Sequence, residues 1–100
     1  MINRVIDYNN NYKEDLIEMV HALYIEDPEG QPMSQGKIDA TIKQARECSD
    51  RLKIIMFTDN ESVIGYAIIQ LVWSNEWGGL TANIDEMYII QRARSQGIAS

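Results

Sequence analysis

The sequence predicts an α+β fold, an α/β sandwich with a mostly antiparallel sheet and helices on both faces, and three observations predict it. Two segments, Leu16 to Tyr24 and Ile38 to Ala45, carry apolar residues at helical spacing. Three later segments are dense in β-branched and aromatic residues and are separated by turn chemistry. One of these, Val63 to Trp73, is apolar on both parities, as expected of a strand covered on both sides. With a short opening strand, the element order is β-α-α-β-β-β.

Each element has its own justification. Ile2 to Tyr8 alternates loosely and is short enough for a first strand. Asn11 precedes Glu14 by three positions as a capping pair, and Leu16, Ile17, Val20, Leu23 and Tyr24 follow at helical spacing until Pro28 and Gly30. Ser34 caps a second helix, with Met33 and Ile38 placed as a hydrophobic staple and Ile38, Ile42 and Ala45 as its buried stripe; Gly36 weakens its first turn. Lys53 to Thr58 is the next strand, and Asp59-Asn60-Glu61-Ser62 turns it back antiparallel to Val63–Trp73. Alternation sets Ile64, Tyr66 and Ile68 on one face of that strand and Ala67, Ile69 and Leu71 on the other, with Trp73 in the core. Gly78-Gly79 marks a turn before the last strand, Thr81 to Ile90. There Asp85 shares a face with Met87 and Ile89, and Glu86 shares the other with Ile84 and Tyr88.

Composition bounds the function. One hundred residues, 45% hydrophobic and 24% charged, make one globular domain over 1–100 without linker or repeat. The longest apolar runs fall far short of the roughly 20 residues of a membrane helix, and the N-terminus lacks a secretory pattern, so a cytoplasmic location is expected with no membrane partner. Cys48 and His21 each stand alone, which excludes an internal disulfide, a Cys/His zinc site and a nucleophile–histidine pair; both read as structural, and no metal is expected. A net charge of -6 argues against a nucleic-acid partner. The charge is uneven: Asp7 to Glu29 holds seven acids and one base, while Arg92 and Arg94 follow Glu86 with no acid. The acids read either as a solvated helix face or as an attraction for a cation, and the arginines as a surface feature or a site for an anion.

The most informative stretch is the last seventeen residues, where the strand Ile84-Asp85-Glu86-Met87-Tyr88-Ile89-Ile90 runs into Arg94-Ser95-Gln96-Gly97-Ile98-Ala99. A basic, glycine-containing turn opening a helix offers unpaired N–H groups to a phosphate. Coming after an Asp-Glu-Met-Tyr-Ile strand, behind a hairpin with Gly65-Tyr66 and the loop Asn75-Glu76-Trp77-Gly78-Gly79, this pattern resembles the GNAT superfamily of acetyl-coenzyme A dependent N-acetyltransferases. The resemblance is specific in the final seventeen residues and generic before residue 60. Ala93 stands where the family has an aromatic residue and Ser95 where it has glycine.

The resemblance implies a partial GNAT fold and transfer of an acetyl group from acetyl-coenzyme A to a primary amine of a small molecule or peptide. In such enzymes the pantetheine arm pairs with strand backbone, here Met87, Tyr88 and Ile89, and the pyrophosphate sits on Arg94, Ser95, Gln96, Gly97, Ile98 and Ala99. A carboxylate beside the thioester takes the amine's proton, and partial desolvation raises a carboxylate's pKa toward working pH. Asp85 is favoured for this over Glu86, because some family members place an acid there and alternation sends the two to opposite faces. Tyr24, Glu26 and Trp77 are the candidate acceptor-binding residues, suited to a cationic amine. The family domain is longer, so the chain is expected to be an incomplete domain whose last strand has an open edge, and a homodimer pairing there follows. Two alternatives stand beside catalysis: a truncated, non-catalytic interaction module acting through that edge, and an anion-binding domain without acyl transfer.

Overall fold

The computed structural model describes residues 2, 4–28, 30–60 and 62–94. Strand β1 (Arg4–Asp7) leads through a 3-10 turn (Asn10–Tyr12) into helix α1 (Lys13–Glu26) and helix α2 (Gln35–Glu47). Strands β2 (Leu52–Asp59), β3 (Ser62–Ser74) and β4 (Gly79–Ile89) follow, and the short helix α3 (Gln91–Arg94) closes the described chain. The sheet order is β1-β2-β3-β4 with every neighbouring pair antiparallel. The chain therefore meanders, apart from the two helices inserted between the first pair of strands.

Local chemistry explains most boundaries. Ser34 has extended backbone and its Oγ accepts from the Lys37 N–H at 3.2 Å, which starts α2 as expected. Met33 and Ile38 both join the core, as a staple does. The start of α1 departs from expectation: its N-cap position is Tyr12, without a side-chain cap. Asn9 rather than Asn11 does the capping one turn earlier, its Oδ1 accepting from the Asn11 N–H at 2.8 Å to open the 3-10 turn that precedes the helix. Gly78 adopts φ +66° in the turn from β3 to β4, a left-handed conformation that glycine adopts without strain.

Both long helices pack on one face. Leu16, Met19 and Val20 of α1 and Ile38 and Ile42 of α2 close over Ile54, Met56, Tyr66, Ile68 and Tyr88 of the sheet. The opposite face carries a smaller core of Ile64, Ile89 and Ala93, with Phe57 at its margin, and α3 supplies its cover. Helices thus lie on both faces, unequally. Among the described residues, this cover lies at the Ile64–Ile89 end of that face. Trp73, expected in the core, is 65% exposed opposite Leu80 near the far end of the hairpin, where no described helix packs over it.

Two irregularities in strand pairing revise the expected faces. Between β2 and β3, Phe57 pairs with Gly65 and Thr58 with Val63, so Ile64 is an extra residue. It leaves the Tyr66–Ile68 side, where alternation had put it, and packs with Ile89 and Ala93 on the other. Between β3 and β4, Ile68 pairs with Glu86 and Ile69 with Ile84, which makes Asp85 the extra residue. Glu86 keeps company with Tyr88 as expected, but Ile84 lies opposite Ile69 on the second face.

Next to the first bulge, strand packing leaves no room at Gly65. A Cβ there would stand 2.5 Å from the Tyr88 carbonyl oxygen and 2.6 Å from Ile89 Cδ1. Gly65→Ala is therefore expected to lower stability by about 1–3 kcal/mol, as forced overpacking does, read as a lower urea midpoint. An unchanged midpoint would show that β3 and β4 separate freely at this point.

Candidate functional site

The candidate site forms where β4, at its second bulge, passes the C-terminal half of α1. Tyr24, on the last turns of α1, donates from its hydroxyl to Glu86 Oε2, and Tyr66 of β3 donates to Glu86 Oε1 at 3.0 Å. The carboxylate is thus held by two phenols arriving from different elements. The hydrogen bond to Glu86, then burial, then the negative charges of Glu86 and Asp85 push the Tyr24 hydroxyl up to about 12. Tyr66 is fully buried, and burial followed by the Glu86 charge raises its hydroxyl far above the ordinary phenol value. Asp85 is the exposed extra residue of the bulge, next to Glu86 in sequence, and its charge adds the last contribution to the raised Tyr24 hydroxyl. The alternation that assigns the two acids to opposite faces is interrupted here, since Asp85 is the extra residue.

A second cluster adjoins the first. Glu26, at the end of α1, accepts from the Tyr88 hydroxyl at 2.9 Å and pairs with the Arg94 guanidinium of α3 at 2.8 Å. Arg94 also donates from Nε to the Ile89 carbonyl at 2.7 Å and lies over the Tyr88 ring, 5.1 Å from its centroid. Arg94 first, and Tyr88 second, hold the Glu26 carboxyl below the usual carboxylate range. Burial, and then the bond to Glu26, raise the Tyr88 hydroxyl. A cavity of about 30 Å³ beneath Glu86, walled by Leu16, Val20 and Ile68, has room for about one water.

No family model matches the chain, and no curated protein matches it. Solved structures do. A possible acetyltransferase from Clostridium difficile 630 superposes with a TM-score of 0.81 at 16% identity, covering 98% of this chain and 64% of its own. An integron cassette protein from the mobile metagenome of Cole Harbour Salt Marsh gives 0.79 at 22% identity, covering 93% of this chain and 60% of its own. A GNAT family acetyltransferase from Staphylococcus aureus subsp. aureus USA300_TCH1516 gives 0.70 at 19% identity, covering 98% and 70%. The fold is a partial GNAT acetyltransferase fold. The chain spans 64% and 60% of the first two of these structures.

Within the GNAT fold, the residues singled out from sequence divide into four groups. Tyr24, Glu26, Asp85, Glu86, Tyr88 and Arg94 come together in the two clusters. Met87 and Ile89 lie beside them, and their backbone groups face outward. Ile90 N–H donates to the Ile64 carbonyl and Tyr88 pairs with Tyr66, so Tyr88 faces β3 and its neighbours face the other edge of β4, which pairs with no strand among the described residues. The Ile89 carbonyl is already taken by Arg94 on that edge. Trp77 is not brought to the site: it sits 77% exposed in the β3–β4 turn, on the order of 20 Å along β4 from Glu86. Ser95, Gln96, Gly97, Ile98 and Ala99 lie outside the described residues. Tyr66 was missed as a site residue, though a phenol on a buried strand face signals a polar partner nearby. Among the described residues no group of three or more His, Cys, Asp or Glu could hold a metal ion, and no helix is long and apolar enough to cross a membrane.

The lowered Glu26 carboxyl predicts a signed pH dependence. A depressed folded-state value contributes stability that is present above the unfolded carboxyl pKa of roughly 4.3 and is lost as pH falls through the folded value. Glu26→Gln is therefore expected to be less stable than the native chain at pH 7, with the difference closing toward pH 3 in urea titrations. A constant difference across that range would assign the effect to something other than the ion pair.

Proposed function

We propose that the chain is part of an acetyl-coenzyme A dependent N-acetyltransferase acting on a primary amine of a small molecule or peptide. The observation that carries this reading is the combination, on one short length of β4, of the exposed Asp85, the phenol-held Glu86 and outward-facing backbone groups at Met87 and Ile89. The partial GNAT fold supports it.

The open edge of β4 suits an amide-bearing arm lying alongside it as a further strand would, and Arg94 at its end suits the negative charge of a diphosphate. Acetyl-coenzyme A would supply the activated acetyl group as a thioester. Asp85 is assigned as the base, for a reason of access. Both Glu86 oxygens accept from tyrosines, whereas Asp85 is exposed to solvent and to an incoming ammonium. Asp85 takes one proton from the ammonium so that the neutral amine attacks the thioester carbonyl; the C–N bond forms, the C–S bond breaks, and the thiolate leaves to take up a proton. Glu86, fixed by Tyr24 and Tyr66, holds β4 against α1 so that Asp85 keeps its place. Glu26 and Tyr24 face the acceptor side and favour a cationic amine by their charge and hydroxyl.

Calorimetry with acetyl-coenzyme A tests the cofactor, and thiol release in the presence of primary amines tests the transfer. Asp85→Asn is expected to lower kcat/KM by about a hundredfold or more, with binding of acetyl-coenzyme A retained. Equal turnover by Asp85→Asn across pH would remove the base assignment, and absence of any binding would remove the reading itself.

A second reading is favoured by β4, whose outer edge pairs with no strand among the described residues while Ile84 and Met87 stand exposed upon it. Two copies joined edge to edge would form a homodimer through one continuous sheet. Sedimentation at micromolar concentration is expected to give twice the chain mass on this reading, and a well-folded monomer would end it.

A further inference from the structure

The chain assigns one positive and one negative side chain to two different ligands, yet in the structure these two hold each other. Arg94 lies where the diphosphate is proposed to bind, and Glu26 lies at the end of α1, where a cationic acceptor is proposed to arrive. Their ion pair measures 2.8 Å, with a second bond from the same guanidinium nitrogen at 3.1 Å. Two further contacts, from Nε to the Ile89 carbonyl and over the Tyr88 ring, keep the guanidinium where it is.

We propose that Glu26 and Arg94 form an exchange pair that orders ligand binding: an arriving diphosphate takes Arg94 from Glu26, and the released Glu26 carboxylate then receives the cationic amine. The inference rests on the acetyl-transfer reading and adds a sequence of events to it. Competition is the physical basis. The Arg94 nitrogen that meets Glu26 is the one with the greater reach, while Nε stays with Ile89, so the guanidinium can turn its outer edge to another anion without leaving β4. The pair is an easy one to exchange, since both side chains are partly in water, 39% and 43% exposed. Tyr88 continues to donate to Glu26 after the exchange, which keeps the carboxylate aimed at the same place. By linkage, whatever helps the anion bind must help the cation by the same factor.

The closing experiment uses the full chain, coenzyme A as the anion probe, chosen because it carries the diphosphate without an acetyl group to transfer, and 1,5-diaminopentane as the cation probe. Glu26→Gln is expected to bind coenzyme A about two- to fivefold more tightly than the native chain, because Arg94 no longer has to be freed from an exposed pair. The native chain is expected to bind the diamine more tightly once saturated with coenzyme A, and Glu26→Gln to lose that enhancement. A merely structural Glu26 would give the opposite sign, weaker coenzyme A binding in a less stable chain. Equal coenzyme A affinity in the two proteins, or an enhancement that survives in Glu26→Gln, overturns the exchange while leaving acetyl transfer intact. Failure of the native chain to bind coenzyme A at all overturns the acetyl-transfer reading, and the exchange falls with it.

Discussion

A β-strand turns its side chains over at every residue, so one inserted residue moves everything beyond it to the other face. This constraint acts twice here, and each time it decides something the rest of the structure uses. At Ile64 it takes an isoleucine from the large core and gives it to the small one, where it meets Ala93 and Ile89 and provides α3 with a place to sit. At Asp85 it interrupts the alternation between two neighbouring acids, one of which, Glu86, is held by Tyr24 and Tyr66. The insertion leaves an unpaired residue in the ladder, a local loss that bulges near functional sites commonly carry.

The two clusters flanking Tyr88 differ in how firmly they are held. Glu86 accepts from phenols on α1 and β3, one of them in a wholly buried side chain, so its charge is satisfied where little water reaches. Such a network fixes geometry: moving Glu86 would orphan the Tyr66 hydroxyl inside the core. The Glu26–Arg94 pair sits in water's reach and is worth little as an ion pair alone. What stays fixed in it is the guanidinium, through Ile89 and Tyr88, while the partner of its outer nitrogens is replaceable. A rigid carboxylate thus stands next to an exchangeable one, which suits a place that must both hold its shape and admit ligands.

The sequence made legible whatever depends on neighbours within a turn or two. The element order, the Ser34 cap, the Met33–Ile38 staple, the buried stripes of both helices and the resemblance carried by residues 84–100 all have that character. What depends on a partner strand was not legible. Nothing near Ile64 or Asp85 marks either as an inserted residue, because a bulge is a statement about pairing with Phe57–Thr58 or Ile68–Ile69. Trp73 reads as core by its position in an apolar run, but burial also needs a cover, and among the described residues no helix packs over it. Glu26 and Arg94 each carried a plausible ligand when read alone; their mutual pairing depends on the ends of α1 and β4 meeting in space.

The distances along the chain between these partners have a consequence for how the molecule comes into being. Tyr24 and Glu86 are 62 residues apart and Glu26 and Arg94 are 68 apart, whereas the β-hairpins close between near neighbours. On a ribosome adding about 5–20 residues per second, α1 would wait roughly 3–14 seconds after its own synthesis before the residues that accept its phenol and neutralise its last acid exist. During that interval Glu26 is without Arg94 and Tyr24 without Glu86. The clusters that tie α1 to Glu86 and Arg94 therefore cannot close before those late residues emerge, and their closure commits the first third of the polypeptide to a distant part of it.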